Sequence, residues 1–135
     1  MINLKTSVRI PRTIEDAFAY VSDPRHFPAW NSAVKEVRAT SEPGKVGSTY
    51  EMERDLPTGR ARNGLEIVTL EPPAVFAIRT TSGPTPFLYT YRLRADGQDT
   101  LLELDAEIEV PRLLASFLRR GIEANLATLV RELRG

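Results

Sequence analysis

The sequence predicts an α+β fold in which a seven-stranded, curved antiparallel sheet wraps around a long C-terminal helix, with two short helices after the first strand. Two observations carry most of this. Ile2, Leu4, Val8 and Ile10 alternate with Asn3, Lys5, Ser7 and Arg9, and Leu102, Leu104, Ala106, Ile108 and Val110 alternate with Glu103, Asp105, Glu107 and Glu109. That period of two marks strands with one dry and one wet face. From Arg112 to Arg134 the period lengthens, and Leu114, Leu118, Ile122, Leu126, Leu129 and Leu133 form one apolar stripe along about six helical turns. A stripe of that length must lie on the dry side of the sheet, and one-sided strands around a single helix must curve.

The elements follow in order. Strand one covers Ile2 to Ile10. Thr13 followed three residues later by Asp16 resembles a capping box, and Ile14, Ala17, Phe18 and Val21 then fall at helical spacing. Asp23-Pro24 ends that helix and starts a second one, with Asp23 as cap and Pro24 at the first position, anchored by Phe27, Trp30 and Val34. Six further strands are expected over Lys35 to Thr40, Ser48 to Asp55, Gly64 to Leu70, Val75 to Thr81, Phe87 to Ala95 and Thr100 to Val110. Between them stand turn signals: Pro43-Gly44, Pro57-Thr58-Gly59, Pro72-Pro73, Gly83-Pro84 and Asp96-Gly97. Asp55 to Arg62 reads as an exposed loop.

Composition limits the function classes. A chain of 135 residues suits one domain over 1–135 with a core of its own. The 18 basic and 18 acidic residues cancel without long blocks, so no footprint for nucleic acid or an anionic membrane is expected. No cysteine is present and His26 is the single histidine, which excludes disulfides, thiolate chemistry and multi-histidine metal sites. No metal and no cofactor are implied. Met1 to Ile10 lacks the continuous apolar run of a signal peptide or membrane span, so the expectation is a cytoplasmic protein without integral membrane association.

Several fragments, in their order and spacing, carry a family resemblance. They are the opening strand into Ile10-Pro11, Ala17-Phe18, Val21-Ser22-Asp23, Phe27-Pro28-Ala29-Trp30 with Val34, Gly47-Ser48-Thr49-Tyr50, Glu71-Pro72-Pro73 before a strand, and Asn125-Leu126 in the last helix. Together they span nearly the whole chain. The sequence resembles the helix-grip superfamily (SRPBCC) of START lipid-transfer domains and pollen-allergen-like proteins, on its bacterial polyketide cyclase/dehydratase-like branch. Gly97-Gln98-Asp99-Thr100 stands where the family often has a Gly-Thr turn before the last strand. The resemblance implies a cavity between sheet and terminal helix that carries lipids, steroids or polyketides, or less often catalyses cyclisation.

The candidate ligand-binding residues are Trp30, Tyr50, Met52, Phe87, Tyr89, Tyr91, Phe117, Leu118, Gly121 and Asn125. Phe87, Tyr89 and Tyr91 lie two apart on one strand and share a face, as do Tyr50 and Met52 on another. Turned inward, the tyrosines would offer apolar area with one polar handle each; the competing reading is plain core packing. Trp30, with Phe27, either gates a cavity mouth or anchors the helix pair. Asn125 is the polar residue nearest the apolar stripe, between the directions of Phe117 and Leu118, and could bond a ligand carbonyl or hydroxyl. Gly121 beside it costs about 1 kcal/mol relative to alanine inside a helix, which space for a ligand or close packing would explain.

No catalytic residue is assigned. Arg79 is expected to face solvent, since Phe76 and Ile78 take the inward face, and Arg92 and Glu103 to pair across strands. Glu66 would serve as a base only if turned inward, and His26 sits on a polar turn. The expected function is binding or transport of a hydrophobic small molecule such as a lipid, a polyketide or another polycyclic compound, by a monomer or homodimer. The alternatives are a polyketide cyclase/dehydratase-type enzyme, with Tyr89, Tyr91 and Asn125 positioning the substrate and Glu66 or His26 as base, and a filled-core module for protein interaction.

Overall fold

The structure, a computed structural model, describes residues 1–134. Seven strands form one antiparallel sheet: β1 (Ile2–Ile10), β2 (Val34–Ala39), β3 (Thr49–Leu56), β4 (Gly59–Glu71), β5 (Val75–Ser82), β6 (Phe87–Asp96) and β7 (Asp99–Ile108). Between β1 and β2 come helix α1 (Ile14–Val21), a 3-10 turn (Pro24–His26) and the single-turn α2 (Phe27–Trp30). Helix α3 (Ala115–Arg134) closes the chain. This is the helix-grip fold.

Local chemistry sets the boundaries. The Thr13 side chain caps α1 by accepting from the Asp16 amide, and the Asp23 carboxylate caps the following turn by accepting from the Arg25 amide with Pro24 at its first position. Both caps are as the sequence predicts. The terminal helix differs at its start: Arg112–Leu114 forms a 3-10 turn behind Pro111, and α-helix begins at Ala115. The expected Asp55 to Arg62 loop is a second difference. Leu56 pairs with Gly59, leaving only Pro57-Thr58 as the turn, with Gly59 at φ +124. The charged residues 60–62 are strand, because Arg62 pairs with Glu53 and Arg60 with Asp55 across the hairpin's solvent face.

Strand order is β1-β7-β6-β5-β4-β3-β2, so chain neighbours are sheet neighbours except where β1 closes on β7, in register from Ile2 opposite Ile108 to Ile10 opposite Thr100. Register breaks in the β4–β5 ladder at Gly64/Leu65 and at Ile67/Thr69, and in the β2–β3 ladder at Val34/Glu36. Each extra residue bends its strand and adds twist, which curves the sheet toward the helices. The concave face is apolar: Leu65, Ile67, Phe76, Ile78, Leu102 and Leu104 are buried there. Helix α3 covers it with Ile122, Leu126, Leu129 and Leu133, and Leu118 lies half-buried at the near end of that stripe. Polar clamps fix the ends. Arg12 donates from Nε to the Leu133 carbonyl at 2.6 Å, and Thr100 Oγ1 donates to the Arg12 carbonyl at 2.8 Å.

Candidate functional site

The inward rows of β3 and β6 meet beneath α2. On β6 the row is Phe87, Tyr89, Tyr91, Leu93, and on β3 it is Tyr50, Met52, Arg54, as the alternation along each strand requires. Trp30, at the end of α2 and 4% exposed, points down between them. A continuous aromatic chain results. The Phe27 and Trp30 rings meet edge-on at 5.6 Å, Trp30 meets Tyr91 edge-on at 6.4 Å, Tyr91 meets Tyr89 edge-on at 6.4 Å, and Tyr89 stacks on Phe87 at 4.3 Å. Phe76 stacks beneath Tyr91 at 5.6 Å. The Arg54 guanidinium lies 5.6 Å from the centre of the Phe87 ring and ends the chain.

Two small cavities flank these rings. One of about 40 Å³ lies among Trp30, Met52, Arg54, Phe87, Tyr89 and Tyr91. The other, about 20 Å³, lies toward the terminal helix among Trp30, Tyr89, Tyr91, Ile122, Asn125 and Leu126. Trp30, Asn31, Tyr89 and Tyr91 line both. The sheet and α3 therefore converge on one aromatic centre, with room for a water or two rather than a drug-sized molecule.

Burial dominates the electrostatics around these rings. Burial pushes the Tyr89 phenol up to about 12, with the nearby Arg54 charge pulling weakly the other way. Burial, and then Tyr89, hold the Tyr91 phenol well above its usual range. Both hydroxyls stay protonated and neutral near pH 7 and can offer only hydrogen bonds. Arg54 is the one charged residue lining either cavity. The indole Nε1 of Trp30 is buried with no hydrogen-bond partner among the described residues.

The predicted site residues divide. Trp30, Met52, Phe87, Tyr89, Tyr91 and Asn125 come together at the two cavities. Asn125 also accepts from the Ser32 amide through Oδ1 at 3.3 Å, tying α3 to the turn after α2. Tyr50 is buried elsewhere: its hydroxyl accepts from the Gly44 amide at 3.3 Å, and its ring backs an open groove of about 600 Å³ between α1 and the β4–β5 turn. That groove's central charges, Asp23 and Arg25, satisfy each other through two side-chain bonds of 3.0 Å. Leu118 is half-buried against the core and lines neither cavity.

Two placements on the terminal helix are corrected. Phe117 is 60% exposed, because five residues at about 100° each place it some 140° around the helix from Ile122. Gly121 is also exposed, and a Cβ built on it meets nothing within 4 Å, so no closely packed strand explains the glycine and it faces open space rather than the two cavities. The candidate bases are away from the cavities as well. Glu66 accepts from Arg79 Nη2 at 2.8 Å on the convex face, and the His26 ring stacks on Tyr20 at 4.2 Å with Nδ1 2.8 Å from the Tyr20 carbonyl oxygen. Arg79 is exposed, as expected. Arg92 stands opposite Glu103 in register but reaches diagonally to Asp105 at 3.9 Å.

Arg54 was missed. The alternation that turns Tyr50 and Met52 inward also turns Arg54 inward, so the period-two rule contained the signal. What obscured it is that a charged residue one short of a hairpin ordinarily faces water.

The family model described as polyketide cyclase/dehydrase and lipid transport matches residues 1–134. The chain belongs to that family. Among solved structures, this family member is similar to a START superfamily protein from Mycobacterium smegmatis, at TM-score 0.83 and 15% identity over 98% of this chain and 97% of that one. It is similar also to the Zhui aromatase/cyclase from Streptomyces sp. R1128, at TM-score 0.78 and 14% identity over 98% and 93%. A third is ginseng major latex-like protein 151 from Panax ginseng, at TM-score 0.74 and 14% identity over 98% and 97%. No curated protein matches the chain by sequence. At these identities the likeness to solved structures is one of fold. No helix among the described residues is long and apolar enough to cross a membrane.

Proposed function

We propose that this family member binds or carries a hydrophobic small molecule, held between the sheet and α3 against Trp30, Tyr89 and Tyr91. The observation that carries this is the unpartnered indole Nε1 of Trp30, the residue that lines both cavities beside Tyr89 and Tyr91. A buried donor without a partner costs about 1–3 kcal/mol, and native cores rarely keep one. A ligand acceptor would satisfy it, while the surrounding rings supply apolar contact. The family's description includes lipid transport, which agrees. Because the cavities total far less than the roughly 300–1,000 Å³ of a ligand pocket, binding requires α2 and α3 to part from the sheet. Turnover is disfavoured, since the lining holds two neutral phenols and an arginine but no carboxylate or imidazole to move a proton.

The smallness of the cavities favours a second reading, a filled-core module whose work is done on its surface. One experiment separates the two. Trp30 is the sole tryptophan, so its emission reports the site directly. Titration with the uncharged probe N-phenyl-1-naphthylamine should shift Trp30 emission saturably, and native mass spectrometry of freshly purified protein should detect a co-purifying apolar compound. Flat emission against a broad panel of lipids and polycyclic aromatics, with no bound mass, establishes the filled core instead.

A further inference from the structure

We infer that the molecule this site takes carries an acidic group, a carboxylate or a similar oxyanion, and that Arg54 is the residue that binds it. This rests on the binding reading above and names the chemistry of the ligand's head. Arg54 is the third member of the inward row of β3 and is more than half buried. Its protein bonds go only to neutral acceptors. Nε donates to Asn63 Oδ1 at 2.9 Å, and Nη2 donates to the carbonyls of Pro84 at 2.8 Å and Thr85 at 3.0 Å. Among the described residues Nη1 makes no such bond, and no carboxylate lies within ion-pair distance of the guanidinium. Arg9, Arg25, Arg38, Arg60, Arg62 and Arg79, by contrast, all pair with aspartate or glutamate.

A cation removed from water toward an apolar interior is ordinarily paired there, because neutral acceptors recover only part of the lost hydration. Here burial lowers the Arg54 pKa, the direction expected for a charge that lacks its counter-ion. The 40 Å³ cavity that Arg54 lines exceeds the roughly 10–15 Å³ that one water needs, so a small polar head group has room beside the guanidinium. Trp30 lines the same cavity, and its buried indole Nε1–H has no partner among the described residues. The fixed parts are arranged for this. Asn63 is fully buried, its Nδ2 donates to the carbonyls of Ser82 at 3.0 Å and Pro84 at 2.9 Å, and its Oδ1 holds Arg54 Nε. The guanidinium is thereby held over the Phe87 ring with its remaining donors unspent. The apolar remainder of the ligand would extend from this head toward Ile122 and Leu126, where the second cavity lies.

The test compares two molecules with the same tail, dodecanoate and dodecan-1-ol, by isothermal titration calorimetry below their aggregation concentrations. The wild type should bind dodecanoate at least about tenfold more tightly. Arg54→Met should abolish that preference while leaving dodecan-1-ol within about threefold of the wild type. Arg54→Lys, which keeps a charge and an apolar stem but not the planar fork, should retain part of the preference. Equal wild-type affinity for acid and alcohol overturns the inference and leaves the binding reading standing, as does a loss in Arg54→Met that falls equally on both. Should Arg54→Met fail to fold, the wild-type comparison and the lysine variant decide. If the wild type binds neither compound, the inference fails; if Trp30 emission is also unmoved by the uncharged panel, the binding reading fails with it.

Discussion

Replacing Gly121 with alanine should make the protein more stable, and by an amount the geometry fixes. The residue lies inside α3, six positions from its start at Ala115 and well short of its end at Arg134, so its backbone is fully helical. A Cβ added there meets no atom within 4 Å, so no packing penalty offsets the gain in helix propensity. That gain is about 0.8–1.0 kcal/mol for glycine to alanine in an exposed helix interior. Across 135 residues an unfolding entropy of about 2.1 cal/mol/K per residue gives roughly 0.28 kcal/mol/K, so the Tm should rise by about 3 °C. Differential scanning calorimetry reads the shift, and urea denaturation at 25 °C should move the midpoint upward without altering the slope. Affinity for an apolar probe should not change. A loss of 1 kcal/mol or more, or weakened probe binding in the folded variant, would mean that α3 is rotated and that Gly121 faces the sheet after all.

Leu126, fully buried under α3, should cost about 3 kcal/mol on truncation to alanine, whereas half-buried Leu118 should cost about 1 kcal/mol; equal losses in urea denaturation would misplace the apolar stripe. Asp23 provides a pH test. Burial raises its pKa, but the side-chain and backbone bonds from Arg25 and the charge of that residue outweigh this, and the net shift is downward. Its contribution is therefore present above the unfolded value near 4 and lost as pH falls through the lower folded value. Asp23→Ala should cost about 1 kcal/mol at pH 7, and the gap to the parent should narrow below about pH 4; a gap that widens in acid contradicts the assignment. At the other end of the scale, the raised phenols of Tyr89 and Tyr91 keep their protons while an unfolded chain loses them near pH 10. Stability should thus fall as pH climbs from about 10 toward 12, and in folded protein the 295 nm phenolate absorbance of these two should be missing near pH 10. Full ionisation of all four tyrosines near pH 10 in folded protein would show the aromatic centre to be wet.

Much of this was legible because periodicity and burial coincide. The alternation from Leu102 to Ile108 and the stripe from Ile122 to Leu133 each have one dry neighbour, and the caps at Thr13 and Asp23 are short-range chemistry written within four residues. The failures share a cause. Phe117 sits some 140° around the helix from Ile122 and faces out although its neighbours Ala115 and Leu118 pack on the core, and Tyr50 faces inward as its alternation predicts but its hydroxyl meets a loop amide away from the two cavities. Residues 60–62 look like loop because their arginines are charged, but cross-strand partners on Asp55 and Glu53 make them strand. Arg54 faces inward only because Asn63 and the carbonyls of Pro84 and Thr85 receive it, and those lie on other strands and turns. The alternation along β3 carries the direction, but the partners that make a buried arginine tolerable there are not in any local window of sequence.

The pairing of β1 with β7 has a consequence for how the chain reaches this state. Five of the six ladders join consecutive strands, but Ile2 must find Ile108, about a hundred residues away. Relative to a tight hairpin, closing so long a loop costs on the order of 3 kcal/mol more in chain entropy, so this ladder is unfavourable until other contacts have drawn the two ends together. Of the seven strands β1 is made first, and its one sheet neighbour, β7, is made last. Its apolar row of Ile2, Leu4, Val8 and Ile10 stays without the cover of β7 and α3 until those two elements have been translated. The six strands from β2 to β7 can meanwhile assemble through local hairpins, and completion of the sheet waits on its oldest segment.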